Sequence, residues 1–284
     1  MQRLALVLSL TLALLFTQVA SRTVRAWGAT GHHVIARLAL ELMTPDAKRQ
    51  SIVLLGSEAE FVAQSTWADA VRRDHPETAN WHFVSIPYSA QTYDPSRDCR
   101  STDQGDCIIA ALERARVGIA DPALPVAARQ DALKYLIHFI GDFHQPLHNI
   151  GNSDRGGNDV HVDAVEGIDL GGRSSNLHSV WDSLVIDHRG LDEAQYTAFL
   201  LKDLQARPAP EEAVDLVNWS LAAHTLAVQV SYAYAGFSDL GPPAAPVAID
   251  AAYQARAQPV IDRQLELAGA RLARVLSAAF QAKQ

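Results

Sequence analysis

Sulfur is scarce in this chain: its 284 residues hold two cysteines and two methionines. Two thiols cannot build an all-cysteine metal site, nor the several bridges of a disulfide scaffold. Cys99 and Cys107 lie in a polar segment rich in turn formers. That setting suits one short local disulfide in an oxidising compartment, with a pair of free thiols as the alternative. Long apolar runs are scarce too. Residues 4–20 form one, preceded by Arg3 and followed by Val24-Arg25-Ala26, which puts small residues where a signal peptidase reads them. The pattern predicts a secretory signal peptide over residues 1–26 rather than a membrane span. The rest, 284 less 26 or 258 residues, would be a periplasmic or secreted protein without a membrane anchor. The third scarcity is positive charge. The chain carries 24 Lys and Arg against 32 Asp and Glu, and the first 26 residues hold three of those arginines and no acid, leaving 21 against 32. Such a balance excludes a broad basic groove for nucleic acid, so a phosphate ligand must be drawn by something local.

What is present reads as helices. Val34, Ile35, Leu38 and Leu42 form an apolar stripe at helical spacing. Thr44-Pro45 predicts the cap and first position of a second helix, and Ser57-x-x-Glu60 a capping box opening a third. Further helices are expected over 106–119, 125–144, 175–188 and 191–205, with the longest over 211–234 and 251–280. Strand signals are confined to 81–86 and 160–165, and the Pro/Ala-rich stretch 241–249 reads as a loop. No repeat or low-complexity linker divides residues 27–284. The expected fold is all-α, a mainly helical single domain with a minor β-hairpin.

Eleven histidines give the chain its chemistry if some are spaced as ligands. His138 and Asp142 are four apart on a helix whose core stripe is Leu133, Leu136, Ile137 and Ile140, so they share a face and can chelate one cation. A lone pair of this kind is more often a surface ion pair. Here the pattern recurs at His178 and Asp182, and Pro146 breaks the first helix so that His148 can turn back. Between the pairs lies the glycine-rich stretch Asp154-Arg-Gly-Gly-Asn158-Asp159, which lets backbone approach a ligand. Imidazole with carboxylate and no thiolate favours zinc or a similar divalent ion, and several such ions favour hydrolysis. Cleavage before Trp27 would expose an α-amino group beside that residue's carbonyl, a five-membered chelate, with His32 five residues on. His33, His75, His144, His161, His188 and His224 lack ligand-spaced partners and read as surface or structurally satisfied histidines.

With these residues the chain resembles the zinc-dependent single-strand nucleases and 3′-nucleotidases of fungi and plants, the S-one/P-one type, and their bacterial relatives. The resemblance runs through Trp27-Gly-Ala-x-Gly-His32, Trp67-Ala-Asp69, Trp81-His82-Phe83 and His138-Phe-Ile-Gly-Asp142. It continues through Gln145-Pro-Leu-His148, Gly156-Gly-Asn158, His178-x-x-x-Asp182 and Leu267-Ala-Gly-x-Arg271-Leu-Ala. It implies a phospholipase C / zinc nuclease-like fold with three Zn²⁺. One ion would take Asp69, His82, His138 and Asp142; a second the Trp27 amine and carbonyl, His32 and Asp142; a third His148, His178 and Asp182. Asp69 and Asp142 would be catalytic through the close metal pair, which activates the attacking water. The implied substrates are single-stranded DNA, RNA and 3′-nucleotides, cleaved to 5′-phosphate products by a monomer.

Phe83 matches the family's base-stacking aromatic, with plain core packing as its bland alternative, and Asn158 would hydrogen-bond the base or hold its loop. Ser85 stands where the fungal enzymes carry an Asp, which touches substrate choice and leaves the ligands intact. Six positive charges in one cleft would answer the acidic balance of the surface. The rival enzyme is a zinc phospholipase C, whose first histidine lies further from the N-terminal Trp and whose last pair closes with Glu instead of Asp182. A non-enzymatic secreted zinc-binding protein would favour mobile His-rich tracts over ligands set in helices.

Overall fold

The computed structural model describes residues 27–281 apart from Glu212 and Leu240. The signal peptide expected over residues 1–26 and the last three residues of the expected domain lie outside the described residues. The N-terminal half comprises α1 (Ala29–Leu42), α2 (Pro45–Leu55), α3 (Glu58–Ala63), α4 (Trp67–Val71), α5 (Pro95–Asp98), α6 (Ile108–Ala120) and α7 (Val126–Phe143). After a short sheet region follow α8 (Leu177–Ser179), a π-helical turn (Val180–Leu184) and α9 (Val185–Asp187) as one run. Then come α10 (Glu193–Ala206), α11 (Leu216–Leu226) with a second π-turn (Ala227–Ser231), and α12 (Ala251–Gln281).

The core forms where α1 and α7 meet α12, whose 31 residues make a spine roughly 46 Å long. Its buried face carries Ile261, Leu265, Ala268, Leu272 and Leu276 at helical spacing, set against Ile35 and Leu38 of α1. Gly269 permits that approach: a Cβ there would stand 2.4 Å from Leu38 Cβ. Two caps form at the expected residues, the one at Ser57 without the reciprocal Glu60 side-chain bond of a capping box. Thr44 Oγ1 accepts the Ala47 amide at 3.3 Å with Pro45 in the first turn, and Ser57 Oγ accepts the Glu60 amide at 3.0 Å. A full reciprocal capping box forms at Asp192 and Gln195.

The strand expectations need correcting. Residues 76–82 wind into a 3-10 helix (Pro76–His82), and the chain beyond it is extended without joining the sheet. Val84 N–H instead donates to His148 O at 2.8 Å, and Gly151 N–H to Ile86 O at 2.7 Å. The sheet has order β2-β1-β3, with β1 (His161–Val165) antiparallel to β2 (Ser175–Asn176) and parallel to β3 (Val247–Ile249). The stretch expected to be a loop thus supplies β3, in which buried Val247 and Ile249 pair alongside Val162 and Val165. The helix expected over 211–234 starts only at Leu216, where Asp215 caps it by accepting the Asn218 amide at 3.0 Å. Cys99 and Cys107 are joined as a disulfide.

Candidate metal centre

Helix α7 brings His138 and Asp142 to its inner face, both fully buried. Between them Gly141 leaves room for α1, since a Cβ there would lie 2.9 Å from His32 Nδ1. The indole Nε1 of Trp27 donates to Gly141 O at 2.8 Å and fixes the start of the described chain against α7. His32 Nε2 consequently sits 3.2 Å from Asp142 Oδ1, and the His32 and His138 rings stack with centroids 4.3 Å apart. From the other side the 3-10 helix delivers His82, whose Nδ1 lies 2.9 Å from Asp142 Oδ2, 3.2 Å from His138 Nε2 and 3.6 Å from Asp69 Oδ1 on α4. Two groups able to hold a metal therefore meet at His138: His32, His138 and Asp142, and Asp69, His82 and His138. Asp142 is within ion-pair distance of His32, His82 and His138.

A third group stands apart. Pro146 opens a 3-10 turn (Pro146–Asn149) that carries His148 back toward the cluster, while His178 and Asp182 lie one turn apart on the α8 run. His148 Nε2 is 3.0 Å from His178 Nε2, which is 3.3 Å from Asp182 Oδ2. Gln145, from the Gln145-Pro-Leu-His148 stretch, ties this group together: its Nε2 donates to Asp182 Oδ1 at 2.6 Å, while its Oε1 accepts the Leu147 amide at 2.5 Å.

The ring nitrogens facing away from these groups determine the tautomers. Nδ1 of His138, His148 and His178 approaches the carbonyls of Ser65, His82 and Gly156 at 2.7, 2.7 and 2.6 Å. A carbonyl only accepts, so each Nδ1 carries the hydrogen; Nε2 of His148 and of His178 then turns a lone pair inward, and Nε2 of His138 is the atom left to take a proton or a metal. His148 and His178 thus aim two lone pairs at each other across 3.0 Å, which is repulsive unless a cation lies between them. Burial keeps both rings neutral, pushing His148 down to about 3 and His178 down to about 4. Burial also pushes the Asp182 carboxyl well above the usual carboxylate range.

The paired groups show the same need. His32 Nδ1 and Nε2, His82 Nε2 and Asp142 Oδ1 are buried without a hydrogen-bond partner. Burial pushes His82 down to about 4 and lowers His32. Burial opposes charge at His138 as well, but Asp142 and Asp69 outweigh it and raise that ring to about 9. His138 and its neighbouring imidazoles, working against burial, hold the Asp142 carboxyl well below its ordinary range, whereas burial raises Asp69. A proton on His138 here does what a metal ion would do, which is to balance carboxylates sunk among imidazoles. The nitrogen and oxygen donors, buried and orphaned, fit divalent ions of the zinc type.

Beside the groups opens a cleft of about 360 Å³ lined by His82, Phe83, Ser85, His148, Asn158 and His178. Arg72 brings positive charge to its wall, while Arg155 at the rim is paired with Asp159 at 2.6 Å. Phe83 is half-buried and lines the cleft. Ser85 is exposed. Asn158 donates to Arg155 O at 2.8 Å, while its Oδ1 has no hydrogen-bond partner. The loop beneath it needs its glycines: Gly156 has φ +62°, and a Cβ would stand 2.6 Å from Leu147 O. Of the remaining histidines, His33, His75, His144, His188 and His224 find ordinary partners, and His161 is exposed. His33 Nδ1 lies 2.7 Å from Glu193 Oε1, and buried His144 lies against Ile140 O and the Arg271 guanidinium at 2.7 and 2.9 Å.

Among the described residues no helix is long and apolar enough to cross a membrane. The S1/P1 Nuclease family profile matches residues 27–281. The chain is 30% identical to Endonuclease 2 of Arabidopsis thaliana over 177 residues, 59% of each chain. It is 30% identical to Nuclease P1 of Penicillium citrinum over 204 residues, 68% of this chain and 72% of that one. Endonuclease 3 of Arabidopsis thaliana is 26% identical over 283 residues, 91% of this chain and 90% of its own. A profile spanning every described residue, over a helical fold that gathers these histidines and aspartates beside one cleft, places the chain in the S1/P1 nuclease family, hydrolases of phosphodiester bonds.

Proposed function

We propose that this chain is a zinc-dependent phosphodiesterase of single-stranded DNA and RNA that leaves 5′-phosphate products and also dephosphorylates 3′-nucleotides. The observation that carries the reading is the pair of facing lone pairs on His148 and His178, beside the buried Asp182 carboxyl, whose hydrogen-bond donor is the uncharged Gln145 amide. The ligand sets are those the family resemblance implies: Asp69, His82, His138 and Asp142 for one ion, Trp27, His32 and Asp142 for the next, and His148, His178 and Asp182 for a third. Bound there, zinc supplies Lewis acidity and lowers the pKa of water toward neutrality.

The chain's own part is positioning. Asp142 spans the two adjacent groups, with Oδ1 toward His32 and Oδ2 toward His82 and His138, so one carboxylate sets their separation. Asp69 approaches the same imidazoles from α4 and completes the neutralisation. The carbonyls of Ser65, His82 and Gly156 hold three rings with Nε2 inward and no rotation needed on binding. Phe83 offers a face to an unstacked base, and Asn158 Oδ1 an acceptor to its edge; a base in a duplex must leave its stack to reach them. Arg72 attracts phosphate locally, which a protein of net charge −8 cannot do with its whole surface.

Export by the segment 1–26 and action as a periplasmic or secreted monomer complete the proposal. The test is hydrolysis by zinc-replete protein of single-stranded DNA, duplex DNA, RNA, 3′-AMP and phosphatidylcholine. Preference for the single-stranded polymers with 5′-phosphate ends is expected; cleavage of the lipid alone would overturn the reading.

A further inference from the structure

Loop 154–159 holds a conformation that most residues resist. Arg155, Gly156 and Gly157 follow one another with φ of 54°, 62° and 79°. Three successive left-handed residues do not persist unless the surroundings hold them. Asp154 is the group placed to do so. It is 1% exposed, and its Oδ1 accepts the Gly157 amide at 3.1 Å and the Tyr232 hydroxyl at 2.8 Å. The Asp159 amide closes the loop on the Asp154 carbonyl at 3.0 Å. Arg155, the cation next in sequence, turns outward to pair with Asp159. The buried carboxylate is thus tied to a backbone amide and a phenol that is itself buried after the second π-turn.

What the loop presents is a carbonyl. Gly156 O accepts the Nδ1 hydrogen of His178 at 2.6 Å, and Gly157 O accepts the His178 amide at 3.3 Å. These two bonds fix the ring so that Nε2 points at His148 and Asp182. We propose that Asp154, braced by Tyr232, is the positioning residue of the separate His148–His178–Asp182 group, acting through loop 154–159 on His178. The inference rests on reading that group as a metal site. Without the carboxylate the loop relaxes toward ordinary φ values, the Gly156 carbonyl withdraws, and His178 loses the bond that sets its tautomer. Asparagine at 154 keeps an acceptor oxygen for the Gly157 amide, so it preserves the arrangement.

The test uses the full processed chain as wild type, Asp154→Ala, Asp154→Asn and Tyr232→Phe. Zinc per chain is measured against graded chelator, and hydrogen exchange of the loop and His178 amides is followed in zinc-stripped protein. Asp154→Ala is expected to release one ion at least about 10-fold more readily, with faster exchange confined to the loop and residue 178, while the other ions stay. Asp154→Asn is expected to behave close to wild type, and Tyr232→Phe to fall between. Should the alanine variant not fold, Tyr232→Phe carries the same comparison. Unchanged retention and exchange in Asp154→Ala, or an asparagine variant as impaired as alanine, overturns the inference. A wild type that binds no ion through His148, His178 and Asp182 sinks the metal reading instead, and the exchange data still decide the role of Asp154.

Discussion

Stripping zinc should destabilise the fold by an amount that the separate group lets one work out. His148, His178 and Asp182 are buried, and without a cation they leave two opposed lone pairs and a carboxylate with a single amide donor. A ligand present at 1,000 times its dissociation constant stabilises the folded state by about 4 kcal/mol per site. For a domain of this size each kcal/mol moves Tm by ~2–4 °C, so one occupied site is worth ~8–16 °C. The two adjacent groups share His138, so their contributions will not add independently. The assay is scanning calorimetry of stripped protein with and without buffered zinc near neutral pH, beside Asp182→Ala. That variant should lose about one site's share of the shift and keep the rest. A Tm indifferent to zinc, or an Asp182→Ala variant with the full shift, would refute the reasoning.

Other outcomes follow from single residues. Gly156→Ala forces a left-handed alanine against Leu147 O, with a backbone cost of ~1–2 kcal/mol; activity should fall further than Tm, because the Gly156 carbonyl holds His178. Phe83→Ala should raise KM for single-stranded DNA ~5- to 150-fold, the equivalent of ~1–3 kcal/mol of stacking, with little change in Tm for a half-buried side chain. Glu266, on the buried face of α12, is pushed up to about 7 by burial from an ordinary 4.5, despite Arg263 at 2.8 Å. Between those two values the folded chain holds a proton that the unfolded chain has lost. Stability therefore falls as pH rises from about 4.5 to about 7, by up to ~1.4 kcal/mol per pH unit. Urea titrations across that window should show the slope in wild type and its loss in Glu266→Gln.

Much of the candidate site was legible because it obeys local spacing. His138 with Asp142 and His178 with Asp182 need only a helical turn to become neighbours, and Pro146 marks the break that returns His148. Asp69 and His82 carry no such signal. They arrive on a five-residue helix and a 3-10 turn, whose positions follow from packing against α7, so only the resemblance to a family pointed to them. The apolar run 81–86 suggested a strand because burial alone was visible; His82 and Val84 are indeed buried, but their backbone partners lie on other loops. Strand β3 hid in a proline- and alanine-rich stretch, since three residues are too few to show a period. Asp154 and Gln145 looked like ordinary loop polar residues, because what they do depends on partners at Tyr232 and Asp182.

The close packing of α1 on α12 also ties the metal centre to a distant part of the described chain. Leu38 meets the bare Cα of Gly269, more than two hundred positions later, and His32 rides on the same helix as Leu38. A side chain added at Gly269 would push on α1 and shift His32 from its place beside Asp142, so a fault remote from every ligand in the sequence would be felt at the metals.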